Sequence, residues 1–281
     1  MYTTYKERNG VAIFSYIALT CAAFAFLMPI LLVLMNSFKG SLYISDAPFA
    51  IPSSASFVRF KNYIQGIAAT KFPNAFCWSF FITVFSVGII VLFSSMTGWY
   101  ITRMNKGFCK WLYYMFVFAM IVPFQMVMFP LTKVTNILYL DNPIGVLVVY
   151  LGFGAGQSVF MFCGFAKSVP VAIEEAATID GCSPIGMFFN IVLPMLTPIA
   201  ITVAIINAMW IWNDFLLPFL IIGSEYRTIP VAVQYLRTGH GSIDTGHMMA
   251  VIIVAIIPIV TFYFACQKYI IRGVTAGSVK G

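Results

Sequence analysis

Six stretches of this chain, 11–35, 76–101, 111–132, 143–166, 197–222 and 248–267, carry between them a single charge, Asp214. A helix needs about 20 apolar residues to cross the hydrocarbon core of a bilayer, and each stretch supplies them. An isolated strand in lipid leaves its backbone groups unsatisfied, and none of the stretches alternates as a barrel strand would. The chain therefore reads as an all-α integral membrane protein with six transmembrane helices. Composition agrees. Of 281 residues, 61% are hydrophobic and 9% charged, against about 45–50% and 25% in a soluble domain. There are too few polar residues to cover a water-facing globule, and a disordered, collagen-like or disulfide-scaffold chain is excluded.

The first stretch follows Lys6 and Arg8. Its apolar run is far longer than the usual 7–15 residues of a signal peptide, so it reads as a retained span. Six spans put both termini on one side. The connection holding Arg103, Lys106 and Lys110 without an acid places that side in the cytoplasm, because short basic loops remain inside. The remaining segments are long outer loops at 36–75 and 224–247, a cytoplasmic loop at 167–194 and a tail at 268–281. A short helix is expected near 57–66. The whole of 1–281 reads as one transmembrane domain.

The net charge of +7 belongs to such flanks, and no basic stripe points to nucleic acid. The six cysteines form no C-x-x-C pair and read as free thiols, with Cys109 and Cys182 in short connections. No G-x-x-x-x-G-K-[ST] occurs; Lys167-Ser168 follows Ala166. The chain thus lacks the nest of N–H groups that cradles a nucleotide phosphate and does not hydrolyse ATP itself. His240 and His247 are the only histidines, with Asp244 as the one nearby ligand candidate, so no metal site is expected. Gly156-Gln157-Ser158-Val159-Phe160 misses the second glycine of a nucleophile elbow and has no histidine in a span to serve it, which disfavours an intramembrane hydrolase.

Polar groups inside spans are the stronger signal. A central carboxylate costs roughly 2.5–3.5 kcal/mol to insert. Trp210, Asn213, Asp214 and Leu217 fall at helical spacing on one face, which meets other helices or a polar cavity. Asp214 reads either as an interhelical latch or as part of a solute pathway, with Arg227, Arg237 or a partner residue as its donor. Gln125, between Pro123 and Pro130, marks a kinked third span whose freed carbonyls can line a cavity. Gly152, Gly154 and Gly156 let a helix approach the fourth span, from this chain or from another subunit.

The 167–194 loop has its own logic. Pro170 suits a first helical turn, Glu174, Glu175, Ala176 and Ala177 follow, and Asp180-Gly181 supplies a left-handed stop. Ser183-Pro184 reads as N-cap and first residue of a second helix, with Ile185, Phe188, Phe189 and Val192 on one face. A short acidic helix with small residues beside a sharp turn suits a projection pressed into a groove of another protein, where a Glu meets an Arg.

At these residues the chain resembles the permeases of ABC importers. Glu175-Ala176-Ala177, Gly181, Ile191, Leu193 and Pro194 fit the EAA motif, E-A-A-x3-G-x9-I-x-L-P, at every spacing. The likeness extends through Asn36-Ser37-Phe38-Lys39, Tyr100-Ile101-Thr102-Arg103, Trp210-Ile211-Trp212-Asn213-Asp214-Phe215 and Thr228-Ile229-Pro230-Val231. It is similar to the smaller permease of the maltose-type carbohydrate importers. Cys182 departs from the family's usual Ala.

The resemblance implies a type I ABC importer permease fold in a bacterial or archaeal plasma membrane. The 167–194 segment, with Glu174, Glu175, Ala176, Ala177, Asp180, Gly181, Ile191, Leu193 and Pro194, would couple to a separate ATPase dimer, which holds the ATP and Mg. A second homologous permease would complete the pathway, and an extracytoplasmic binding protein would deliver a sugar or oligosaccharide. This chain would bind no cofactor. Trp210, Asn213, Asp214 and Gln125 are the candidate pathway residues. The alternatives are an ABC permease for another solute, such as a phosphodiester, and an ion-coupled transporter using Asp214.

Overall fold

The computed structural model describes residues 3–104, 106–223, 225–238 and 244–278, with side chains described over 12–104, 106–223, 225–236 and 244–268. Fourteen α-helices occur among the described residues and no strand; one isolated antiparallel bridge joins Lys39 and Phe57. Four helical segments are long and apolar enough to cross a membrane alone: Ala12–Asn36, Phe72–Arg103, Pro143–Ala166 and Thr245–Lys268. Two bent pairs bring the total to six if each is one span. Gly107–Ile121 and Phe124–Ile137 meet at 105°, and Pro184–Met195 and Thr197–Asn213 meet at 78°. All six apolar windows are thus helical.

The breaks have local causes. Helix α5 (Gly107–Ile121) ends at Val122 with extended backbone, as the residue before a proline prefers, and α6 (Phe124–Ile137) starts from Pro123. Pro130 lies inside α6. The kink expected between the two prolines is a sharp break at the first. The fifth window is also interrupted: α11 (Thr197–Asn213) stops, Asp214 is extended, and α12 (Leu216–Ile221) restarts.

The chain divides into two compact units, residues 1–72 with 233–257 and residues 73–232 with 258–281. In the first, α1 (Thr3–Asn36) leads to a short α2 (Ser41–Asp46) and to α3 (Lys61–Thr70). The helix anticipated at 57–66 begins later because Arg59 is left-handed, with φ 53°, and Phe60 has not yet entered helical geometry. The turn after α1 is pinned by Asn62, whose Nδ2 donates to the carbonyls of Ser37 and Lys39 at 2.8 Å each. Lys39 is buried and its Nζ donates to Ala47 O at 3.1 Å. None of the most apolar part of Ala12–Asn36 is buried within the chain.

The second unit is built on α4 (Phe72–Arg103) and α7 (Pro143–Ala166). Over half of the most apolar window of α7 is buried, 56% against 28% for α4, so α7 is its central element. Asn142 caps α7, its Oδ1 accepting from the Ile144 and Gly145 amides, with Pro143 at the first position. One core cluster joins Ile82, Ile90, Val146, Tyr150, Ile211 and Leu217; a second joins Phe162, Ala166, Phe188, Val192, Leu196 and Val203. The glycines of α7 pack within this chain at two positions. A Cβ on Gly154 would lie 2.6 Å from Ile90 Cδ1, and one on Gly156 would lie 3.0 Å from Met120 Cγ; Gly152 faces open space. Helix α13 (Ile229–Thr238) starts where the Ile229 amide donates to Ser79 Oγ of α4 at 2.8 Å. The last helix, α14 (Thr245–Ser278), continues through most of the segment read as a tail.

Candidate coupling helix and the break in the fifth span

Helix α8 (Val171–Ile179) starts from Pro170, which stands just ahead of it with extended backbone, φ −62° and ψ 127°. It ends in a full Schellman motif. The Gly181 amide donates to Thr178 O at 3.1 Å, and the Cys182 amide donates to Ala177 O at 2.9 Å. Gly181 has φ +81°, the left-handed conformation that a side chain would oppose. Ser183 then caps α9 (Pro184–Met187), its Oγ accepting from the Gly186 amide at 3.1 Å. A π-helical turn (Phe188–Val192) and α10 (Leu193–Met195) follow. Pro194 brings no N–H to the ladder here, so a regular α-helical register cannot pass through it.

This turn rearranges the expected apolar face. Phe188 and Val192 are buried, but Ile185 and Phe189 are exposed. The latter two share an outward face one residue around the helix from the buried pair. Of α8 itself only Glu174 and Ala177 are buried; Glu175 and Ala176 are exposed. Asp180, Gly181 and Pro194 are exposed, and Ile191 and Leu193 are half-buried against the second core cluster. Exposed Ile179, Ile185 and Phe189 add an apolar rim to the outer side of the helix–turn–helix.

Glu174 points inward. Arg103 Nε and Nη2 donate to its Oε1 at 2.9 and 2.6 Å, and Trp99 Nε1 donates to Oε2 at 3.0 Å. The same Nη2 donates to Val169 O at 2.9 Å. Both members of this ion pair are largely enclosed, with side chains 16% and 9% exposed. In the sequence Arg103 stands as a positive flank and as the end of Tyr100-Ile101-Thr102-Arg103, with no partner assigned. Its signal was the spacing Trp99–Arg103, two donors one helical turn apart near the end of α4. The six cysteines are free thiols, but Cys109 is a buried residue of α5 and not part of a connection.

Asp214 is a hinge. Its Oδ1 accepts from the Leu216 and Leu217 amides at 2.9 and 3.4 Å, and Tyr150 Oη donates to its Oδ2 at 3.0 Å. The extended backbone of Asp214 thus ends one helix, and its carboxylate starts the next and receives a donor from α7. The expected single face fails because the helix stops at Asn213; Leu217 belongs to the following helix. The donor is Tyr150 of α7. The side chain of Arg237 lies outside the described residues. Trp210 packs edge-on against Tyr150, with ring centroids 5.5 Å apart. Asn213 is exposed and its Nδ2 donates to Met209 O at 2.7 Å. Gln125 is exposed on the first turn of α6. Deeper in the unit, Asn207 Nδ2 donates to Ser158 Oγ at 3.1 Å, tying α11 to α7.

Among the described residues no group of three or more His, Cys, Asp or Glu side chains could hold a metal. His240 lies outside them. His247 Nδ1 sits 3.2 Å from Asp244 Oδ2, and its Nε2 is 2.9 Å from Gln65 Oε1. Asp244 Oδ1 also accepts from Ser41 Oγ and from the Gly246 and His247 amides. Burial pushes the Asp244 carboxyl up, but the bonds from Ser41 and the two amides, with the nearby His247, outweigh it and hold it below the usual carboxylate range.

Residues 90–276 match the family model described as "Binding-protein-dependent transport system inner membrane component". The chain is 38% identical over 253 residues to a probable starch degradation products transport system permease protein, AmyC, of Thermoanaerobacterium thermosulfurigenes, covering 90% of this chain and 91% of that protein. It is 35% identical over 281 residues to a multiple sugar-binding transport system permease protein, MsmG, of Streptococcus mutans, covering 98% and 99%. The fold is similar to that of a bacterial ABC transporter involved in the import of the acidic polysaccharide alginate. That match has a TM-score of 0.71 at 19% identity and covers 96% of this chain and 99% of the other. The chain is a multi-pass membrane protein and belongs to the family of binding-protein-dependent transport system inner membrane components.

Proposed function

We propose that this chain is a permease subunit of an ATP-driven importer for a sugar or oligosaccharide. It forms half of the translocation pathway with a second, homologous permease, and it couples to a separate ATPase dimer through α8. The observation that carries this reading is the two-sided character of α8: anchored inward at Glu174 and Ala177, it presents Glu175, Ala176 and an apolar rim outward. That surface suits a groove offering an Arg and apolar contacts. The sugar is supported by the transport named for the two relatives, starch degradation products and multiple sugars. An extracytoplasmic binding protein is supported by a second fold match, at TM-score 0.62, to an alginate transporter in complex with a periplasmic protein carrying an alginate pentasaccharide. Lys106 and Lys110, at the junction of α4 and α5, support cytoplasmic termini.

The capping bonds of Asp214 support a structural hinge over proton coupling in the same residue. Glu175→Lys and Gly181→Leu test the docking role. The first inverts the exposed charge; the second forces a side chain into the left-handed turn, at a cost of about 1 kcal/mol or more. Both variants should reach the membrane and lose the ATPase on co-purification. Full retention in both would refute docking through α8.

A further inference from the structure

The two glutamates of α8 have separate tasks. Glu175 is exposed, whereas Glu174 is buried with both carboxylate oxygens engaged by α4. With three of its about four acceptor positions filled and only 7% of the residue exposed, this carboxylate is poorly placed to meet an Arg from another protein. Arg103 also holds the Val169 carbonyl, two residues before α8 begins. The indole of Trp99 leans on Phe188, with ring centroids 5.7 Å apart, at the π-helical turn of the second arm of the helix–turn–helix. The last turns of α4 therefore grip the approach to α8, the helix and the arm after it.

This grip has a firm backing. A Cβ on Gly98 would lie 2.7 Å from Phe162 Cβ and 3.1 Å from the Cys163 amide, so α4 and α7 are in backbone-close contact there. The chain itself already joins α8 to α7 through residues 167–170. On its other side residues 180–183 join it to α9, and neither connection ties it to α4. The Glu174 bonds add that attachment, and a helix so held carries a displacement to α4 as well.

We infer that Glu174 is a positioning residue that makes α4 move with α8, with Arg103 and Trp99 as its grip. The inference rests on the coupling role proposed for α8. Charge-assisted bonds are roughly twice as strong as neutral ones, which suits a tether that transmits force. Lysine in place of Arg103 would keep the charge and lose the planar array of donors.

The test uses the assembled transporter with its ATPase, and a readout on α4 that needs no knowledge of the solute. Cys77 is exposed on α4, far along the helix from Trp99. Its rate of modification by N-ethylmaleimide, followed by mass spectrometry of its peptide, is measured with and without trapping by ATP and vanadate. In the wild type trapping should change the rate. Glu174→Gln and Arg103→Lys should retain the ATPase and still hydrolyse ATP, while the trapping-induced change falls roughly 2- to 30-fold. The reversed pair Glu174→Arg with Arg103→Glu should recover part of it.

An unresponsive Cys77 in the wild type, a full response in Glu174→Gln, or loss of the ATPase from that variant would overturn the inference. If Glu174→Gln does not accumulate in the membrane, Trp99→Phe decides. It removes one donor and should weaken the response, and a full response refutes the tether. Glu175→Lys and Gly181→Leu are run in parallel: full retention of the ATPase by both would refute docking while leaving the α4 response to be judged separately.

Discussion

Removing the Tyr150 hydroxyl should loosen the hinge of the fifth span. Tyr150 is fully buried, and its hydroxyl donates to Asp214 Oδ2 at 3.0 Å, while Oδ1 caps α12. A hydrogen bond to a charged group contributes about 1.5–3 kcal/mol. Tyr150→Phe keeps the ring and its edge contact with Trp210, so the loss should be near that range. Asp214→Asn retains an oxygen for the Leu216 amide and should be comparable or milder. Asp214→Leu abandons both the Tyr150 hydroxyl and the Leu216 amide, at about 1–3 kcal/mol each. At roughly 2–4 °C per kcal/mol for a chain somewhat smaller than this, the Phe variant should melt several degrees lower and the Leu variant lower still.

The assay is thermal unfolding in detergent, followed by tryptophan fluorescence, with solute uptake measured alongside. Because Tyr150→Phe and Asp214→Asn act on one bond, the double variant should lose less than the sum of the two. An unchanged melting temperature in Tyr150→Phe, or equal losses in Asn and Leu, would refute the hinge. Abolished uptake in Asn as in Leu, with loss of pH dependence, would favour proton coupling at Asp214.

Gly98→Val should sharply reduce the yield of folded protein, because its Cβ would meet Phe162 at 2.7 Å on a rigid backbone. Such overpacking costs about 1–3 kcal/mol, and a normal melting temperature would contradict the close approach. In the first unit, Asp244 has a depressed carboxyl pKa, so it contributes stability above its unfolded value of about 3.9 that is lost as pH falls through the lower folded value. Ser41→Ala should therefore lower the melting temperature at pH 7 and converge with the wild type in acid; a constant difference across that window would argue against the assignment.

Much of this architecture was legible in residue order. Long uncharged windows identify spans because lipid leaves the backbone few options, and all six windows are helical. The Schellman stop at Gly181 and the Ser183 cap were legible because both depend on one or two adjacent residues. Breaks within windows were harder. Hydropathy records composition but not backbone direction, so Asp214 read as a polar spot on a continuous face when its side chain in fact caps the helix that follows. The face containing Ile185 and Phe189 was misjudged for a similar reason: a π-helical turn changes which residues meet the core. The pairing of Glu174 with Arg103 joins positions 71 residues apart, and no local pattern pairs them. The EAA spacing marked the segment, while the fold divided its two glutamates between inward and outward duties.

The central claim is that this chain conducts solute only as part of an ATP-driven assembly. It is tested most directly in proteoliposomes holding this chain, a second permease and the ATPase, supplied with the binding protein and the radiolabelled sugar that this binding protein carries. Uptake should require ATP and binding protein, and should vanish when any one component is omitted. Uphill uptake by this chain alone, driven by a proton gradient without ATP, would contradict it.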